Sequence, residues 1–78
     1  MDTIKLSDYN TSMGKLIVLD DLNIATADKL KASTLLDNPS KYLNKNNTYF
    51  FICKNGITSR RVVRILNIYG YNAIRVTI

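Results

Sequence analysis

The sequence predicts a small α/β domain with a mostly parallel sheet of three or four strands and helices on both faces. Three observations carry that expectation. Lys15–Leu19 and Thr48–Cys53 are largely continuous apolar runs, the pattern of strands covered on both sides. The second run leads into a tight loop, a helix-period stretch and a β-branched stretch, which together spell a βαβ unit of about 30 residues. The chain has 78 residues, 46% of them hydrophobic and 22% charged, enough for one folded domain over 1–78 and no second one.

The elements follow in order. Thr3–Ser7 is a short strand, and Asp8–Gly14 is turn-rich. Lys15–Leu19 is a buried strand ending at Asp20-Asp21. Ala25–Ala32 reads as a short helix with Thr26 as its N-cap. A turn at Asn38-Pro39 starts a second short helix through Leu43, since proline suits the first helical turn. Asn44–Thr48 is polar loop. Thr48–Cys53, aromatic and β-branched, is the clearest strand. Ser59–Tyr69 is a helix with Val62, Val63, Leu66 and either Ile65 or Tyr69 inward, and Arg60, Arg64 and Asn67 in the solvated stripe. Gly70 stands where a left-handed residue ends a helix, and Tyr71–Thr77 is the last strand.

Composition excludes several kinds of chemistry. With one cysteine and no histidine, the chain builds no internal disulfide, no ordinary zinc site and no imidazole-based catalytic pair. No cofactor or metal is expected. Met1-Asp2-Thr3 has neither the basic start nor the apolar stretch of a secretion signal. No apolar run nears the ~20 residues of a membrane helix. A cytoplasmic setting without membrane contact is therefore expected.

Charge is divided along the chain. The formal net charge is +5, and all six acids, from Asp2 to Asp37, lie in the first half. From Pro39 onward there are seven cations and no acid: Lys41, Lys45, Lys54, Arg60, Arg61, Arg64 and Arg75. Such a field concentrates anions.

Cys53 ends an expected parallel strand just before a loop and a helix, where open α/β sheets place their ligands. Loop N–H groups and the positive helix end converge there and stabilise negative charge on sulfur. Lys54, Arg60 and Arg61 add cations, and Gly56 lets the loop curl around an anion. The expectation is a reactive, partly exposed thiolate beside an anion-binding nest. The competing reading is a cysteine that serves as a small buried hydrophobe.

The spelling of the loop separates the two. Cys53-Lys54-Asn55-Gly56-Ile57-Thr58-Ser59, preceded by Tyr49-Phe50-Phe51-Ile52, resembles the active-site segment of the rhodanese-like domains. Their pattern is a strand, Cys-x-x-Gly-x-(Arg or Thr)-Ser, a helix ending in Leu-x-x-x-Gly-(Tyr or Phe), and a strand. Leu66-Asn67-Ile68-Tyr69-Gly70-Tyr71 is similar to that ending, and the likeness covers residues 46–77. Leu16–Asp20 resembles the family's second strand with its closing aspartate. Leu36–Leu43 resembles a connecting segment of its short members.

The resemblance implies a shortened, single-domain sulfurtransferase. Cys53 would take a sulfane sulfur from thiosulfate or a protein persulfide and hold it as a persulfide. Lys54, Asn55, Gly56, Ile57, Thr58 and Ser59 would supply loop amides, and Arg60 and Arg61 a supporting field. An external thiol or cyanide would then accept the sulfur, because no second cysteine is present. Sulfite is a good leaving group, so no histidine is needed.

The sequence also departs from the family. Asp20-Asp21-Leu22 lacks an arginine usual there, and Thr58 stands where arginine is more common. Ala27–Thr34 runs where a Gly-His-Ile-x-Gly-Ala segment belongs. That implies loss of a strand beside the site and an open sheet edge that favours a homodimer.

Two alternatives remain in view. One is a catalytically weak sulfur-carrier or protein-interaction module of the same fold. The other is a nucleic-acid-binding domain using the basic half with Tyr42, Tyr49, Tyr69 and Tyr71. The second lacks any helix-turn-helix or RNA-reading signature. Phosphatases of the Cys-(five residues)-Arg class do not fit, because that spacing lands on Ser59 and Arg60 is one position late.

Overall fold

The computed structural model describes residues 3–19, 24, 27–54 and 56–78. Its strands are β1 (Thr3–Lys5), β2 (Lys15–Leu19), β3 (Asp28–Leu30), β4 (Thr48–Ile52) and β5 (Asn72–Thr77). Its α-helices are α1 (Ala32–Asp37), α2 (Pro39–Tyr42) and α3 (Ile57–Ile68), and Leu6–Asp8 forms a 3-10 turn. The strands make one sheet in the order β1-β5-β4-β2-β3, with every pairing parallel. The fold is the α/β class expected, with five strands rather than three or four.

The additional strand is β3. Its segment reads locally as helix, because Ala-Asp-Lys-Leu has good helical propensity. Pairing overrides that preference: Asp28, Lys29 and Leu30 lie in register with Ile17, Val18 and Leu19 of β2. Helix begins only afterwards, at Ala32. The Thr26 cap and the Asp20-Asp21-Leu22 turn lie outside the described residues. The edge expected to be missing is therefore occupied, and a lost strand no longer argues for a homodimer. Both edge strands have only three residues, which limits edge-to-edge pairing.

Alternation along the central strands divides the core in two. Ile17, Leu19, Tyr49, Phe51 and Ala73 point to one face, where Leu35 of α1 and Val62, Val63 and Leu66 of α3 cover them. Leu16, Val18, Phe50, Ile52 and Val76 point to the other. Among the described residues, helical cover on this second face comes from Leu6 of the 3-10 turn, with Tyr9, Ile24 and Ala27 beside it. The Tyr9 ring lies 5.0 Å from that of Phe50, and its hydroxyl donates to the Gly14 carbonyl at 2.6 Å. No described helix is long and apolar enough to cross a membrane.

Several local expectations hold. Pro39 opens α2. At the end of α3 the Tyr71 N–H donates to the Leu66 carbonyl and the Gly70 N–H to that of Asn67, with Gly70 at φ 94°. Those two bonds form a Schellman motif, which turns the chain sharply into β5. Ile65 is half-buried, whereas Tyr69 is exposed.

Asn67 does more than its solvated position implies. Its side-chain amide donates to the Ala73 carbonyl at 3.0 Å and accepts from the Ala73 N–H at 3.1 Å. Among the described residues β1 pairs β5 from Arg75 to Thr77, and this amide satisfies the backbone of Ala73 two residues earlier in β5.

Candidate active site at the Cys53 loop

β4 carries the site. The alternation that turns Tyr49 and Phe51 toward α3 places Cys53 on the same side, packed in that half of the core. Cys53 is only 3% exposed, deeper than the partly exposed position expected, and it lines a pocket of ≈170 Å³ with Lys54, Gly56 and Arg75. The sulfur thus sits at the floor of a depression rather than on an open surface.

The loop closes around that sulfur. Gly56 adopts φ 77°, a left-handed conformation that side chains disfavour, and this turns its N–H inward. The Gly56 and Ser59 N–H groups both donate to Cys53 Sγ at 3.1 Å. The thiol donates to Ser59 Oγ at 3.3 Å, and that hydroxyl donates to the Gly56 carbonyl at 3.3 Å. Ser59 is completely buried, so these partners replace the water it has lost. The sulfur also lies at the N-terminal end of the 12-residue α3, where the helix field favours negative charge.

The other expected residues divide in position. Lys54 is exposed and lines the cysteine pocket. Ile57 is 71% exposed, so its side chain does not enclose the site. Thr58 is half-buried, and Asn55 lies outside the described residues. Arg60 lines a neighbouring open groove of ≈640 Å³ with Arg64, Asn67, Thr3 and Arg75. Arg61 is exposed and lines neither depression. The tyrosines offer no common stacking face: Tyr49 and Tyr71 are buried, and Tyr42 is partly buried.

Arg75 is the residue that sequence reading missed. It stands in β5 opposite Phe51 of β4, on the face where Ala73 meets α3. Its guanidinium reaches the loop, since a Cβ placed on Gly56 would lie 2.9 Å from Arg75 Nη2. Two signals pointed toward it: a lone cation in an otherwise uncharged strand, and its two-residue spacing from Ala73.

No protein-family model and no curated protein matches the sequence. Solved structures do. A protein from Staphylococcus saprophyticus is similar at 29% identity and a TM-score of 0.78, over 97% of this chain and 86% of that one. A rhodanese-related protein from Thermoplasma volcanium is similar at 23% identity and a TM-score of 0.82, over 97% and 83% of the two chains. The chain has a rhodanese-like fold. A third neighbour of this rhodanese-like domain is an NAD-dependent persulfide reductase from A. fulgidus. It matches at 12% identity and a TM-score of 0.70, over 96% of this chain but 14% of that one. The rhodanese-like resemblance read from the loop and the end of α3 thus extends across nearly the whole chain.

Proposed function

We propose that this rhodanese-like domain is a sulfurtransferase working through a persulfide on Cys53. The observation that carries the reading is the pair of N–H donors, from Gly56 and Ser59, aimed at Sγ at 3.1 Å on a pocket floor. Bonds from N–H groups strengthen when their acceptor is ionised, so the loop stabilises a thiolate, the sulfur nucleophile.

The transfer has two steps. The Cys53 thiolate attacks the outer sulfur of thiosulfate, forming a new S–S bond while the old one breaks. Sulfite leaves with the bonding electron pair, and the persulfide remains as an anion. A thiolate or cyanide from solution then attacks that terminal sulfur, which leaves with it and restores the Cys53 thiolate. No proton is required by either displacement. A protein persulfide would serve as donor in the same geometry, with a thiolate as leaving group.

Ser59 adapts to both states. Its hydroxyl accepts from the neutral thiol, and rotation would let it donate to the thiolate instead. Lys54 at the pocket rim favours the approach of an anion.

A second reading is favoured by the 3% exposure of Cys53: a domain that holds sulfur or a protein partner but turns over slowly. Thiocyanate formation from thiosulfate and cyanide separates the two. Wild type should form it catalytically and Cys53→Ser should not. One equivalent of sulfur taken up without turnover would support the carrier reading.

A further inference from the structure

We infer that Arg75, contributed by β5 from outside the cysteine loop, is the residue that binds the anionic group of the molecule reacting at Cys53. The inference rests on the sulfur chemistry proposed for that cysteine and adds the residue that would hold the donor's oxyanion.

Four observations meet at this side chain. Arg75 Nε is buried and, among the described residues, has no hydrogen-bond partner. Burying such a donor unpaired is costly, and the side chain gains by turning toward an anion that enters the pocket. The guanidinium lies against Gly56, whose N–H is one of the two donors to the sulfur. Arg75 also lines the pocket that reaches Cys53.

The fourth observation is its setting. Arg75 forms a wall common to the cysteine pocket and the groove holding Arg60 and Arg64; among the described residues neither lining includes an acidic side chain, and the terminal residue Ile78 also lines the cysteine pocket. The ion pair seen among the described residues is Lys15–Asp28, away from this end of the sheet. Three arginines therefore line one depression with no acidic side chain beside them among the described residues. Lys54 is exposed on a flexible stem, whereas Arg75 is held between strand and loop. A planar guanidinium held in that way suits an oxyanion better than an ammonium does.

The test uses probes that need no sulfur transfer. Cys53 is alkylated with iodoacetate, an anion, and with iodoacetamide, its neutral counterpart, and the ratio of the two rates is measured. Wild type should show a high ratio, and sulfate should slow its alkylation more than chloride at equal ionic strength. Arg75→Gln should lower the ratio at least about tenfold, the scale of local electrostatic effects on rates. Arg75→Lys should restore part of it. Lys31→Gln, which removes one positive charge from an exposed residue lining neither depression, should leave it unchanged.

An unaltered ratio in folded Arg75→Gln overturns the assignment. So does a Cys53 inert to both reagents, because the pocket would then not lead to the sulfur. If the glutamine variant does not fold, lack of sulfate protection in wild type overturns the assignment by itself. A lowered ratio in a protein that takes no sulfur from thiosulfate would support Arg75 while rejecting the sulfurtransferase reading, so the two failures are distinguishable. Where turnover is present, Arg75→Gln should raise KM for thiosulfate more than it lowers kcat.

Discussion

Ser59 is fully buried, and its hydroxyl joins the thiol of Cys53 to the carbonyl of Gly56. Replacing it with alanine removes one sulfur contact while leaving the backbone N–H in place. Ser59→Ala should slow sulfur uptake from thiosulfate by roughly three- to tenfold, the equivalent of one ordinary hydrogen bond. Timed intact-mass measurements read this directly. Gly56→Ala is the harsher change. A side chain at φ 77° costs about 1–2 kcal/mol, and its Cβ would press on Arg75. Urea unfolding should show that loss, and sulfur uptake should fall further than in Ser59→Ala because the Gly56 N–H is displaced. At this scale the sequence was informative where chemistry is local: Cys53, Gly56 and Ser59 belong to one loop and one spelling. Arg75 was legible only as a lone cation in its strand, because its role depends on the β4–β5 register that sets it opposite Phe51.

Among the elements, α3 shows how side chains extend the work of strands. Asn67→Ala removes both bonds to Ala73 and leaves part of the β5 edge to water. Its expected cost is about 1–2 kcal/mol in urea unfolding, with the loop chemistry at the opposite end of α3 little changed. β3 is held differently. Lys15 of β2 and Asp28 of β3 pair at 2.6 Å, and the Asp28 carboxylate holds the Lys15 ammonium above its ordinary pKa of 10.5. A raised folded-state pKa means that this contribution is complete below the unfolded value and disappears as pH rises through the folded one. Asp28→Asn should therefore destabilise at neutral pH and cease to matter in strongly alkaline solution. The effect should be small, about 0.2–1 kcal/mol, because the two side chains are 56% and 61% exposed. Added salt should shrink it further. Continuous apolar runs made β2 and β4 readable from their own residues, and helical periodicity did the same for α3. β3 has three residues, two of them charged, and exists because β2 offers it a partner.

For the whole molecule, the arrangement brings Lys54 and Arg75, two of the seven cations of the second half, to one end of a parallel sheet. β4 places the thiol there, α3 aims its N-terminal end at it, and β5 returns with Arg75. Fold class was readable from composition and pattern, since continuous apolar strands demand cover on both faces. The cover that the 3-10 turn gives the second face was not, because that turn and its flanking residues carry no periodic signature. The central claim is that this architecture serves to place a sulfane sulfur on Cys53. Intact mass after incubation with thiosulfate tests it most directly, with wild type beside Cys53→Ser. The account predicts a gain of one sulfur atom in wild type, removed by cyanide or dithiothreitol and absent from the serine variant. Wild type that keeps its mass under thiosulfate, although its thiol reacts with a small alkylating agent, would contradict it.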